Sequence, residues 1–156
     1  MTNTPNNSPF KFFNPAFIQG KRVQSFFAYW QSKTAGSRLP LKEDIDILGL
    51  EDLIGLVSVI DVVNTSPRFS LRMIGSEIVH RSGQDNTGKF VDEIEDRTAR
   101  SILQSSYKEV FDTREPFWVK RESILDGQLF VYECVIVPLT NNDGEITQLL
   151  SIVEYP

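Results

Sequence analysis

The chain has 156 residues, with a single cysteine, a single histidine and a formal net charge of −5 at pH 7. This length favours one domain that is large enough to bury its own core. The negative charge argues against a nucleic-acid partner, because phosphate binding depends on clustered lysine and arginine, and one cysteine with one histidine argues against disulfides, zinc sites and a Cys-His catalytic pair.

The first 13 residues are rich in Asn, Pro and Ser. This composition predicts a mobile leader (residues 1–13), although its phenylalanines could dock onto the rest of the chain. The leader has neither the positive region nor the apolar stretch of a signal peptide. The longest apolar run, Leu53 to Val63, contains Asp61 and is too short to span a bilayer. We therefore expect a cytoplasmic protein with no membrane partner.

Residues 14–55 are predicted to form an N-terminal helical extension. Asn14 and Pro15 suit the N-cap and first position of a helix, the Leu39-Pro40 pair would end it, and a second short helical region is predicted from Leu41 to Ile54. An aromatic stripe recurs at helical spacing in the first helix: Val23, Phe26, Phe27 and Trp30. The stripe packs on the protein's own sheet or forms the interface of a homodimer, where Phe and Trp anchors are typical. The two interpretations are compatible if each side of the helix serves one of them.

Two strands open the predicted domain, residues 56–156. Leu56 to Val63 is β-branched and apolar on both faces, which is typical of a buried strand. A turn cluster follows at Asn64–Pro67, and the next segment, RFSLRMI, alternates polar with apolar residues. Two strands this close predict an antiparallel hairpin, with one face of the second strand formed by Phe69, Leu71 and Met73.

The middle of the chain reads as helical. Glu77 to Ser82 predicts a short helix that ends at Gly83, a usual place for a left-handed cap. Phe90 to Ile94 predicts another helical turn. Asp96 then suits the N-cap of a longer amphipathic helix, which the run from Thr113 to Pro116 ends.

Three further strands are predicted: Phe117 to Leu125, Gln128 to Leu139, and Ile146 to Tyr155. Asp126-Gly127 between the first two is a strong hairpin signal. Strands at both ends with helices between them predict an α+β fold, with one five-stranded antiparallel sheet covered on one face by the central helices.

The stretch GQDNTGKF has the spacing of a phosphate-binding P-loop, Gly83 and then Gly88-Lys89. A P-loop needs a preceding strand and a Ser or Thr after the lysine to hold magnesium. Here the preceding element is predicted to be helical, and Phe90 follows Lys89. An enzyme therefore remains only a third hypothesis, which measurable nucleotide binding that depends on Lys89 would revive.

The same region resembles a branch of the PAS sensory-domain superfamily that occurs as small, mostly stand-alone bacterial proteins. The matching motif residues are Arg72, Ile74, Gly75, Ser76, Gly83, Asp85, Thr87 and Gly88, with Trp30, Leu39-Pro40 and Asp44-Ile45-Asp46 upstream. The resemblance covers about residues 23–154 and implies a PAS-like antiparallel sheet with helices over one face. It also implies a domain that senses small molecules, binds partners or dimerises, and that is not itself an enzyme.

The motif residues have structural interpretations as well as functional ones. Gly75 and Gly88 suit positions where the backbone turns in little space. Asp85 and Thr87 are expected to hold the loop by hydrogen bonds to its backbone, the alternative being ligand contact. Arg72 either pairs with a neighbouring carboxylate or reaches an anionic group of a ligand.

No cofactor is assigned. Haem-binding PAS domains carry their histidine ligand on a longer central helix, and none lies between Asp96 and Asp112, so His80 is interpreted as a solvated helix residue. Flavin photosensors use a cysteine in an Asn-Cys-Arg context, whereas Cys134 lies in a predicted strand and is interpreted as an inert core thiol. Haem and a covalent flavin are therefore not expected. The acidic cluster Asp92–Asp96 lacks the EF-hand pattern, so no metal site is expected.

A ligand pocket, if present, is predicted between the sheet and the central helices. The first hypothesis is a PAS-like module that binds a small molecule and relays its state to an effector protein, since no output domain follows Pro156. The second is a ligand-free dimerisation or protein-interaction module. No catalytic residues are identified, and the predicted pocket walls are Leu71, Met73, Ile78, Val79, Leu103, Tyr107, Tyr132 and Cys134.

Overall fold

The computed structural model describes residues 10–36, 38–63, 66–125 and 128–156. In this part of the chain five strands form one antiparallel sheet in the order β2-β1-β5-β4-β3. The predicted α+β fold is therefore confirmed, and the bounds of the strands are β1 Val57–Val63, β2 Arg68–Met73, β3 Phe117–Leu125, β4 Gln128–Thr140 and β5 Ile146–Glu154.

Three α-helices lie among the described residues, and local sequence signals account for most of their ends. They are α1 Lys21–Ser32, α2 Ser76–Ser82 and α3 Arg97–Thr113, and short 3-10 segments cover Pro15–Phe17, Lys42–Asp44, Ile47–Leu56 and Val91–Glu93. The Asp96 carboxylate accepts a hydrogen bond from the Ala99 amide at 3.0 Å, which confirms the predicted N-cap of α3. Gly83 ends α2 in the left-handed conformation, with φ of 73°.

Each face of the sheet carries its own apolar core. The α1-side core includes Val57, Val59, Val137, Leu150 and the α1 stripe, whereas the α3-side core includes Ile60, Phe69, Val110, Ile136 and Leu149. Of the central helical segments, α3 and the 3-10 segment Val91–Glu93 cover one face, whereas α2 packs on the 3-10 segment Ile47–Leu56. The N-terminal extension packs on the opposite face.

The predicted first helix needs correction, and phenylalanines at the end of the predicted leader dock onto the fold, which the sequence left open. The helix expected from Asn14 onward is split into the 3-10 segment Pro15–Phe17 and α1, which starts at Lys21. Residues 10–13 belong to the packed structure, because Phe13 is only 3% exposed and Phe10 packs on the α1-side core. Residues 1–9 of the predicted leader lie outside the described residues.

Two carboxylates from the sheet hold the start of α1. Glu133 of β4 accepts hydrogen bonds from the amides of Gln19 at 2.8 Å and Gly20 at 2.7 Å, and Glu154 of β5 accepts one from the Arg22 amide at 2.8 Å. These bonds satisfy amides that a helix cannot pair internally. A Cβ at position 20 would overlap the Glu154 carboxylate, so a larger residue there would have to displace the carboxylates that hold the helix.

A β-bulge in β2 changes which face Met73 occupies. Ile60 pairs with Leu71 and Val59 pairs with Met73, so Arg72 is an extra residue opposite the β1 strand. Because a one-residue insertion reverses the alternation of side chains, Met73 packs with the α1-side core while Phe69 and Leu71 remain in the α3-side core. The prediction that Met73 shares their face is wrong.

The remaining strand predictions are largely confirmed. β3 and β4 pair in register out to Leu125 opposite Gln128, as expected of a tight hairpin. The predicted turn Asp126-Gly127 itself, and Asn64-Thr65 of the first turn cluster, lie outside the described residues.

Candidate functional site

An open cleft of about 830 Å³ lies between α2 and the end of the sheet where β4 begins and β5 finishes. Three residues of α2, three of β4 and the C-terminal pair form its walls. They are Glu77, His80 and Arg81 on one side, with Leu129, Phe130, Val131, Tyr155 and Pro156 on the other. The cleft therefore combines an apolar and aromatic strand surface with a charged helix surface.

The position of α2 depends on a close backbone contact at its start. A Cβ atom at Gly75 would overlap the backbone carbonyl of Gly55, so the motif glycine lets α2 pack directly on the 3-10 segment Ile47–Leu56. This agrees with the structural interpretation of Gly75. The cleft lies between α2, packed on that segment, and the start of β4.

The eight predicted pocket residues divide into three groups. Leu71 and Tyr107 are buried in the α3-side core, and Met73 lies on the opposite face of the sheet. The other five are partly exposed, namely Ile78, Val79, Leu103, Tyr132 and Cys134. None of the eight forms the wall of the open cleft, but the Tyr132 ring contacts Tyr155, which does, with 6.5 Å between ring centroids.

Arg121 is a site residue that the sequence analysis missed. It lies directly opposite Tyr132 in the β3–β4 register, and Val119 likewise lies opposite Cys134. Directly opposed residues share a face, so Arg121 projects on the α3 side of the sheet beside Tyr132. Its Nε atom is shielded from solvent and has no hydrogen-bond partner among the described residues. The alternating pattern of β3 could have placed Arg121 on this face, but no sequence signal shows that the atom lacks a partner.

Burial is the largest cause of the pKa shifts of the neighbouring groups. Burial raises the pKa of the Cys134 thiol to about 12, and the nearby positive charge of Arg121 opposes that shift. Tyr132 shows the same two influences, with burial raising its pKa and Arg121 opposing. Burial also raises the pKa of Tyr107, whose hydroxyl shares a hydrogen bond with Ser151. A thiol with so high a pKa stays protonated near neutral pH and is a poor nucleophile.

The motif loop supports the sheet edge. The Gly88 amide donates to the Leu71 carbonyl at 2.7 Å, and the Leu71 amide donates to the Lys89 carbonyl at 2.9 Å. Asp85 accepts a hydrogen bond from the Thr87 amide at 3.0 Å, which closes the turn. The element before Gly83 is α2 and not a strand, so the loop lacks the strand-to-loop geometry of a P-loop.

Arg72 is paired within the protein. Its Nε donates to Asp61 at 2.6 Å, and Asp61 also accepts a hydrogen bond from Gln148 at 2.9 Å. This ion pair lies on the α1 side of the sheet, since Asp61 alternates with Ile60 along β1. The contacts therefore support the interpretation that Arg72 pairs with a neighbouring carboxylate.

The aromatic stripe does not form a free surface. Its four side chains are at most 5% exposed and belong to the α1-side core: Val23, Phe26, Phe27 and Trp30. The indole N–H of Trp30 donates to the Pro138 carbonyl at 3.0 Å. The contacts support the packing interpretation of the stripe, because the extension folds back onto its own sheet and buries these side chains there.

The other polar candidates are accounted for locally. His80 is exposed on α2 at the cleft wall, and Asp92 pairs with Arg68 at 2.7 Å. Among the described residues no group of three or more His, Cys, Asp or Glu side chains could hold a metal ion. No helix in that part of the chain is long and apolar enough to cross a membrane.

Comparisons with known proteins agree with this architecture. The PAS domain of BvgS from Bordetella pertussis has a similar structure, with a TM-score of 0.55 and 16% identity, over 70% of this chain and 85% of that one. A light-oxygen-voltage domain whose mechanism was studied with a flavin analogue is similar with a TM-score of 0.53 and 11% identity, over 70% and 83%. At these identities the likeness shows the fold. The comparison with curated proteins finds no match. The family model described as PAS domain matches residues 19–154, nearly the whole described structure, and the chain therefore belongs to the PAS domain family.

Proposed function

We propose that this chain is a sensory PAS module that binds a small molecule beside α2 and passes its bound state to a partner protein. The family supports a sensory or signalling role in general. The observation that carries the proposal is the open cleft between α2 and β4, next to a sheet surface that the helices leave partly uncovered.

The apolar composition of this surface favours an occupant. Phe130 and Tyr132 of β4, and Tyr155 just after β5, keep part of their surface exposed. Burying aromatic surface stabilises a protein by about 25 cal/mol per Å², so a ligand that covers these rings gains free energy from them. Pockets lined by aromatic side chains with a few polar groups are the usual form of small-molecule sites.

The same geometry suggests how binding could be transmitted. Helix α2 is held at its start by the Gly75–Gly55 contact and faces the cleft with Glu77, His80 and Arg81. A ligand that touches both α2 and β4 would favour a closed position of the helix, because a ligand shifts a conformational equilibrium by its differential affinity. The exposed side of α2 would then present a changed surface to the partner. The proposal assigns no catalytic step to the chain, and a homodimer would need a surface other than the buried aromatic stripe.

Native mass spectrometry of the full chain, purified without denaturant, tests this function. We expect extra mass in the native spectrum that disappears on denaturation, and closure of α2 would appear as slower hydrogen exchange of its amides than in protein stripped of the ligand. A clean dimer with no extra mass would support a ligand-free interaction module instead. Nucleotide binding that is lost in Lys89→Ala would support the enzyme hypothesis.

A further inference from the structure

Arg121 presents an unpaired cation on the ligand side of the sheet. Four ion pairs connect described residues, and their cations are Arg68, Arg72, Arg81 and Lys108. Arg121 takes part in none of them, and its Nε is the one buried side-chain nitrogen or oxygen without a hydrogen-bond partner in the described part of the chain. The adjacent carboxylate of Glu122 points to the opposite face, since neighbours along a strand alternate.

Such an arrangement is unfavourable unless something else pairs with the guanidinium. Arg121 as a whole is half-buried, but its Nε is shielded from solvent, and a shielded donor without a partner costs free energy. Unsatisfied buried groups in native structures often mark the position of a missing water or ion. Here the group adjoins Tyr132, which in turn contacts the cleft wall at Tyr155.

We propose that Arg121 binds the carboxylate of a small amphipathic monoanion whose apolar body lies along the β3–β4 surface toward the cleft. This deepens the proposed function and rests on it. The Nε and one terminal nitrogen of a guanidinium match the two oxygens of a carboxylate in a bidentate pair. A phosphate dianion fits less well, because Arg121 supplies one positive charge and Arg81 at the cleft wall is already paired with Glu77.

The test uses the full chain, stripped of any retained molecule by unfolding and refolding, and titrated calorimetrically with octanoate and with octanamide as its uncharged match. We expect octanoate to bind the wild-type protein more tightly than octanamide. Arg121→Gln should weaken octanoate binding by about 10- to 100-fold and leave octanamide unchanged, since one charged bidentate contact is lost. Lys120→Gln is the matched control, because Lys120 is the neighbouring cation on the same strand but is exposed on the other face. It should bind octanoate like the wild type.

Stability provides a second readout that a purely structural arginine would not share. Without ligand, Arg121→Gln should unfold at the same or a higher temperature than the wild type, because the substitution removes a solvent-shielded donor that has no partner. With saturating octanoate the order should reverse, since the ligand stabilises the wild type more. A ligand-free variant that is clearly less stable would assign Arg121 a structural role and overturn the inference.

The outcomes separate this inference from the proposed function. Equal binding of both probes, or unchanged octanoate binding by Arg121→Gln, would overturn the role of Arg121 while leaving a small-molecule sensor in place. If neither probe binds, the inference is tested on the molecule that the chain retains during native purification. An anion that is lost from Arg121→Gln supports the inference, and a neutral molecule or equal retention overturns it. No retained mass and no probe binding would overturn both.

Discussion

Replacing Glu133 by alanine should loosen the N-terminal extension from the sheet. The Glu133 carboxylate is only 5% exposed, and it accepts three hydrogen bonds. The donors are the amides of Gln19 at 2.8 Å and Gly20 at 2.7 Å, and the indole N–H of Trp118 at 2.7 Å. All three donors lose their acceptor in the variant.

The expected cost follows from those three bonds. A buried donor left without a partner costs about 1–3 kcal/mol, so three fully buried donors would cost about 3–9 kcal/mol. All three hydrogen bonds are only partly buried, so the donors can recover bonds to water, and the variant also no longer buries a charge. We therefore expect Glu133→Ala to lower the free energy of unfolding by about 2–4 kcal/mol, a large part of the 5–15 kcal/mol typical of a domain.

Urea denaturation gives the free energy of unfolding, and hydrogen exchange shows where the structure loosens. Protection of amides should fall first in α1, because its start loses the acceptor. The control is Glu122→Ala, the removal of an exposed carboxylate on the neighbouring strand β3, which should cost less than about 0.5 kcal/mol. If Glu133→Ala costs no more than this control, or if α1 keeps its protection, the carboxylate does not hold the helix.

Three further predictions concern other parts of the chain. Phe13→Ala should cost about 3–5 kcal/mol in a denaturant titration because Phe13 is 3% exposed, whereas Phe12→Ala, at 63% exposure, should cost less than about 0.5 kcal/mol; equal effects would place the leader outside the core. Gly75→Ala should lower the free energy of unfolding by about 1–3 kcal/mol, seen as a lower melting temperature, because the new methyl overlaps a backbone carbonyl. Gly55→Ala, whose new methyl meets only ordinary contacts, should be nearly neutral. Cys134, the single cysteine, should react with iodoacetamide at pH 8 far more slowly in the folded chain than in urea, because raising its pKa from 9.0 to about 12 lowers the thiolate fraction about 1,000-fold; comparable rates would contradict the raised pKa.

The signals that predicted secondary structure correctly act over a few residues. Asp96 caps α3 through an amide three residues along, and Gly83 ends α2 because glycine alone adopts positive φ without strain. The β-branched run of β1 and the alternation of β2 likewise predicted the first hairpin. Each of these depends on neighbours in sequence, so the sequence by itself determined them, together with the five-stranded antiparallel sheet that their order implies.

The features that the sequence analysis missed depend on contacts between distant segments. Met73 changes face because a bulge at Arg72 is decided by pairing with β1. Phe13 is buried because it packs in the core between α1 and the sheet. The start of α1 depends on hydrogen bonds to Glu133, which lies more than a hundred residues away in the chain. The unpaired Nε of Arg121 can be recognised only once every neighbour on its face is in place. A residue's burial, its hydrogen-bond partners and the face of the sheet on which it lies depend on how the elements are assembled. Only the tertiary structure decided these properties, and the candidate site depends on all three.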